Sequence, residues 1–132
     1  MHPDRRYDFF AVALISFVTL LALLFWPELP SKMAIHWSGG TPDSFVSKAL
    51  AVFGLWAIGI GTVIFVRLAP PSLRNADPNL TVLFIGGVFA WAQGLVLVWN
   101  LGYRFNMVLA VLPILILAGL FVVSTYLGNP FQ

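Results

Sequence analysis

Four uncharged apolar runs dominate the chain: Phe9–Trp26, Ala49–Val66, Leu80–Trp99 and Met107–Leu127. Each is about 18–21 residues long, or about 30 Å as an α-helix, which matches the hydrocarbon thickness of a bilayer. Their hydrophobicity neither alternates in the manner of barrel strands nor leaves a polar side. Backbone groups in lipid must find partners within their own segment, so helices are expected. With flanking residues the predicted spans are 8–26, 44–68, 78–99 and 106–127. The predicted fold is an all-α integral membrane protein: one four-helix bundle over 1–132, with a polar extracytoplasmic loop at 27–43.

Local signals mark the ends. Asp77 followed by Pro78 reads as an N-cap with proline in the first turn, and Asn106 as a cap for the fourth helix. Gly128 reads as that helix's C-terminal stop. Asp43 or Ser44 is expected to open the second helix. Pro113 is expected to kink the fourth. Residues 67–79 read as a proline-rich turn, and residues 100–106 as a connection short enough to make helices three and four antiparallel neighbours.

Composition agrees with the pattern. Hydrophobic residues make up 60% of the 132 and charged residues only 9%, against about 25% charged in soluble domains. No basic run suggests nucleic acid, and with no cysteine there is no disulfide or thiolate metal site. The first run is too long for a secretory signal, and Pro27-Glu28-Leu29-Pro30 offers no small-residue cleavage site. With the N-terminus in the cytoplasm, Arg5, Arg6, Arg67 and Arg74 lie inside and Lys32, Lys48 and Arg104 outside. The bias favours both termini inside. Trp26, Trp99 and Tyr103 then belong to the outer aromatic belt, Tyr7 and Tyr126 to the inner one.

Inside the spans, Gly86, Ala90 and Gly94 recur every four residues and read as a packing stripe, within the bundle or between copies in a homo-oligomer. Gln93 is the most polar side chain deep in a span. Its amide is expected to bond a neighbouring helix near Ser16, Thr19 or Thr62. No ionisable residue lies well inside a span, which argues against an ion-coupled transporter. A transport-related accessory subunit or a small oligomeric pore remains as the alternative function.

The chemistry concentrates in residues 26–48. Met33–Trp37 is short enough for a strand or extended stretch, and Gly39-Gly40 supplies a turn. His36, Asp43 and Glu28 are candidates to approach one another, and Asp43 to cap helix two. His36 and the two acids lack metal-ligand spacing, so no metal or other cofactor is expected. Ser38, His36 and Asp43 are the residue types of a hydrolytic site, but nothing in the sequence arranges them, and no enzyme is expected. Leu29, Pro30, His36, Trp37, Gly40, Asp43 and Lys48 remain as a recognition or structural motif. The implied partners are the lipid bilayer and a peptide or another membrane protein.

The run Leu29-Pro30, Ile35-His36-Trp37, Gly40, Pro42-Asp43 and Ser47-Lys48 resembles the signature of a prokaryotic membrane family of unknown function, which forms the N-terminal domain of the Sdp immunity (SdpI-like) proteins. The resemblance covers residues 27–48 and the flanking helices. It implies a multi-pass cytoplasmic-membrane protein that protects its producer against a secreted peptide toxin and signals to a repressor. The spacing from His36 to Asp43 is one residue shorter than the family's usual gap. Full-length immunity proteins continue into a second membrane half, and Leu127-Gly128-Asn129 resembles the approach to it.

Overall fold

The computed structural model describes residues 5–70, 72 and 77–128. Pro71, residues 73–76 with Arg74 among them, and Asn129 lie outside the described residues. Helix α1 spans Arg5–Leu24 and ends in a 3₁₀ turn, Trp26–Glu28. Strands β1 (Lys32–Ser38) and β2 (Thr41–Ser47) follow, then helices α2 (Lys48–Leu68) and α3 (Pro78–Asn100). A single turn of helix, α4 (Met107–Ala110), leads into α5 (Leu112–Gly128). Four helices are long and apolar enough to cross a membrane: Arg5–Leu24, Lys48–Leu68, Pro78–Asn100 and Met107–Leu127.

The chain is therefore mostly helical rather than all-α, because residues 32–47 pair as an antiparallel hairpin. Helix two begins at Lys48, not 44, since Ser44–Ser47 belong to β2. Phe45 and Val46 favour a pleated strand and pair with Ala34 and Met33. Ser47 is the N-cap of α2, accepting from the Leu50 N–H at 3.2 Å. Asp43 lies inside β2 and does not cap the helix. The expected caps at Asp77 and Asn106 do form: Asp77 accepts from the Asn79 N–H at 2.9 Å, and Asn106 from that of Leu109 at 3.2 Å.

Helices α1, α2 and α3 pack mutually. The inward stripe of α1, Ala11, Ile15, Thr19 and Ala22, follows helical spacing. Ala11 lies directly against Gly86 of α3, where an added Cβ would sit 2.9 Å from the Ala11 Cβ. Gly59 of α2 makes a similar close approach to Ile15 and Phe89. Where lipid surrounds the helices, such close backbone packing replaces the hydrophobic effect as the source of association. Gln93 supplies the polar bond between α1 and α3: its amide Nε2 donates to Thr19 Oγ1 at 2.8 Å, and Thr19 donates to the Ile15 carbonyl at 3.2 Å.

The far end of these helices is clasped by Arg67, which donates to Asp8 at 2.5 Å and to Asn79 at 2.6 Å. One side chain thus joins the start of α1, the end of α2 and the start of α3.

Helix α5 is different. It leans on α3 through the stacked rings of Phe84 and Phe121, 4.7 Å apart. Pro113 has no N–H to donate, and the helix is interrupted at Val111. The Ile114 N–H turns to the Val111 carbonyl at 3.0 Å, and the Ala110 carbonyl accepts the Trp91 indole N–H at 2.8 Å instead.

Candidate functional site, a hairpin cap on the helices

The hairpin turns at Gly39-Gly40, whose φ values of 59° and 90° are the positive dihedrals that a tight two-residue connection requires. Its register slips twice. Ala34 faces Phe45, His36 faces Ser44 and Trp37 faces Pro42, so Ile35 is the extra residue on β1 and Asp43 the extra residue on β2. The second bulge places the Asp43 carboxylate beside His36 and Ser38, which share one face of β1.

His36 Nδ1 donates to Asp43 Oδ1 at 2.6 Å, and the Ser38 hydroxyl donates to Asp43 Oδ2. All three side chains are exposed. The Ser38 hydroxyl, then His36, holds the Asp43 carboxyl below the usual aspartate range. Ser38 gives its proton to Asp43 rather than to His36, so the ring is not placed as the base of a serine nucleophile. Glu28 does not join them: among the described residues no three metal-ligating side chains gather.

Much of the rest of the hairpin turns inward. Met33, Ile35, Trp37 and Val46 pack over Ala22, Leu29, Ala51, Val52, Val96 and Leu97, closing this end of the helices. Trp37 meets Trp99 edge to face at 5.6 Å, and Trp99 meets Phe105 likewise at 5.4 Å. Leu29 is buried, and Pro30 is exposed beside it. Lys48 Nζ donates to the carbonyls of Trp26 (2.9 Å) and Leu29 (3.3 Å) and lies 4.8 Å from the centre of the Trp26 ring. Its backbone N–H reaches the Ser31 carbonyl at 2.9 Å. Lys48 is thus the tie between the 3₁₀ turn and α2, and its charge neutralises carbonyls at the end of α1. Within the motif, the side chains of His36 and Asp43 are exposed, whereas those of Trp37 and Lys48 make contacts within the fold.

Sequence reasoning missed Asn100. Its side-chain amide accepts from the Ala34 N–H (2.8 Å) and donates to the Ala34 carbonyl (2.9 Å) and to the Val96 carbonyl (2.7 Å). The last residue of α3 therefore docks on the outer edge of β1. Ala34 points its peptide groups away from β2, so Ala34 and Phe45 form a non-hydrogen-bonded pair, and the N–H and C=O of Phe45 point away from β1 in turn. One hairpin edge is closed by Asn100. The other presents the Phe45 peptide groups together with a 57% exposed phenyl ring.

The class defined so far is a helical protein with four candidate membrane spans and a hairpin lid between the first two. Residues 11–60 match the model of a family described as a domain of unknown function, DUF1648. The match runs from α1 through the whole hairpin into α2 and stops before α3. No curated protein and no solved structure matches the chain.

Proposed function

We propose that this is a small multi-pass protein of the cytoplasmic membrane, with both termini inside, whose outward hairpin recognises a peptide, as in the SdpI-like immunity proteins that residues 29–48 resemble. The carrying observation is the asymmetry of the hairpin: one edge is closed by Asn100, and the other offers the Phe45 backbone donor and acceptor. An extended peptide adds to such an edge as a further strand. The exposed His36–Asp43–Ser38 cluster, next to that strand, supplies polar contacts for specificity. Ser38, Asp43 and His36 act here as a binding surface, not as a reacting set.

The test uses a toxin-sensitive bacterial host expressing the chain and challenged with secreted membrane-active peptides. Protection is expected, and Phe45→Pro abolishes it, because proline removes an outward N–H without touching the pairing between β1 and β2. Phe45→Ala retains part of it. Protection that is absent, or that survives both Phe45→Pro and Asp43→Ala at normal protein levels, rules the reading out.

The second reading, a transport-related accessory subunit or oligomeric pore, is favoured by α5, which leaves most of its apolar surface uncovered by the rest of the chain. The void between α1, α2 and α3 measures only about 20 Å³, so a pore requires several copies. Solute flux from a reconstituted oligomer decides it.

A further inference from the structure

An open groove of about 610 Å³ lies between α3 and the segment Phe105–Ala110, which includes α4. Its floor is Ala90 and Gly94, and its walls include Trp91, Val98, Phe105 and Leu109. The space over the floor is open: a Cβ added at Gly94 would meet nothing within 4 Å. One wall is fixed by the Trp91 bond to the Ala110 carbonyl. The volume falls in the about 300–1,000 Å³ range of small-molecule sites, and the lining carries almost no polar group apart from Asn106 at one end.

A cation stands at that same end. Arg104 immediately precedes the lining residues Phe105 and Asn106. Its Nη1 donates to the Trp99 carbonyl at 2.6 Å, and its guanidinium lies 4.8 Å from the centre of the Trp99 ring. Trp99 in turn packs edge to face on Phe105, a groove residue, at 5.4 Å. Arg104 makes no ion pair with a described residue, in contrast to Arg67, which has Asp8. An apolar trench with a fixed, unneutralised guanidinium at one end is complementary to an acyl chain carrying an anionic headgroup.

We propose that the groove between α3 and α4 binds one anionic phospholipid, its chain along Ala90 and Gly94 and its phosphate at Arg104. The inference rests on membrane placement but not on peptide recognition by the hairpin.

The test is native mass spectrometry of the full chain, extracted with mild detergent from vesicles of equal parts phosphatidylglycerol and phosphatidylcholine. A single retained lipid, enriched in phosphatidylglycerol, is expected. Arg104→Gln removes the enrichment but keeps a bound lipid. Gly94→Leu fills the trench and loses the adduct, whereas Gly61→Leu, at a glycine on α2 that is also open, keeps it. Should Gly94→Leu fail to fold, the headgroup preference of Arg104→Gln decides alone. The proposal is overturned by equal retention of both lipids in the parent chain, by a preference unchanged in Arg104→Gln, or by a dimer whose crosslinks run through position 94. Failure to insert into vesicles at all, by contrast, defeats the membrane placement itself.

Discussion

Helix α3 faces two different neighbours. Toward α1 it presents Gly86 against Ala11 and Gln93 to Thr19, a contact so close that no methyl group fits. Toward α4 it presents Gly94 and Ala90 to an open groove beside the Trp91 bond to Ala110, while one ring stack, Phe84 on Phe121, joins it to α5. The difference teaches that a small residue in a membrane helix has two opposite uses. It lets a backbone approach, as at Gly86, or it lies on an open face, as at Gly94.

The largest effect that sharpens this contrast belongs to Asn100→Leu. It leaves the Ala34 N–H and C=O without partners at a buried position. Each orphaned group costs about 1–3 kcal/mol, so a loss of about 2–5 kcal/mol is expected in reversible unfolding from detergent micelles. Next comes Gly86→Ala, which forces α1 and α3 apart at a cost of about 1–3 kcal/mol. The same change at Gly94 is expected to stay within about 0.5 kcal/mol. Equal effects at positions 86 and 94 would remove the distinction between the two faces. Trp91→Phe follows, freeing one carbonyl for about 1 kcal/mol. It should loosen α5 alone, seen as faster amide exchange in Leu112–Leu127 with α1 unchanged.

The smallest effect is the pH response of the hairpin. Asp43 has a lowered pKa when folded, so its contribution is present above the ordinary aspartate value of about 3.9 and fades as pH falls through the lower folded value. Protease sensitivity at Gly39-Gly40 should therefore rise only in strong acid, and Asp43→Asn should abolish that dependence.

Much of the architecture was readable along the chain. The spans follow from runs of uncharged residues, and the caps at Asp77 and Asn106 from bonds two or three residues long. The start of α2 was misplaced because Ser44–Ser47 suit a helix start as well as a strand, and only the partner strand decides. The spacing of Gly86, Ala90 and Gly94 reads as one packing stripe. Four residues exceed a 3.6-residue turn, however, so the stripe winds from α1 at Gly86 to the groove at Gly94. Lys48 reads from the sequence as part of a recognition or structural motif, and the structure shows its structural bonds. The carbonyls that capture it belong to a turn that sequence does not display. Asn100 was invisible for the strongest reason: its partner, Ala34, lies 66 positions away and contributes only backbone.

That amide has a mechanical meaning. Its oxygen and nitrogen imitate a peptide unit, so the ladder of the hairpin gains a one-residue third rung rooted in α3. A push or pull on the lid cannot be absorbed at the rim. It passes through position 100 into a rod that runs the full depth of the molecule, as far as Asn79 and the Arg67 clasp at the other end.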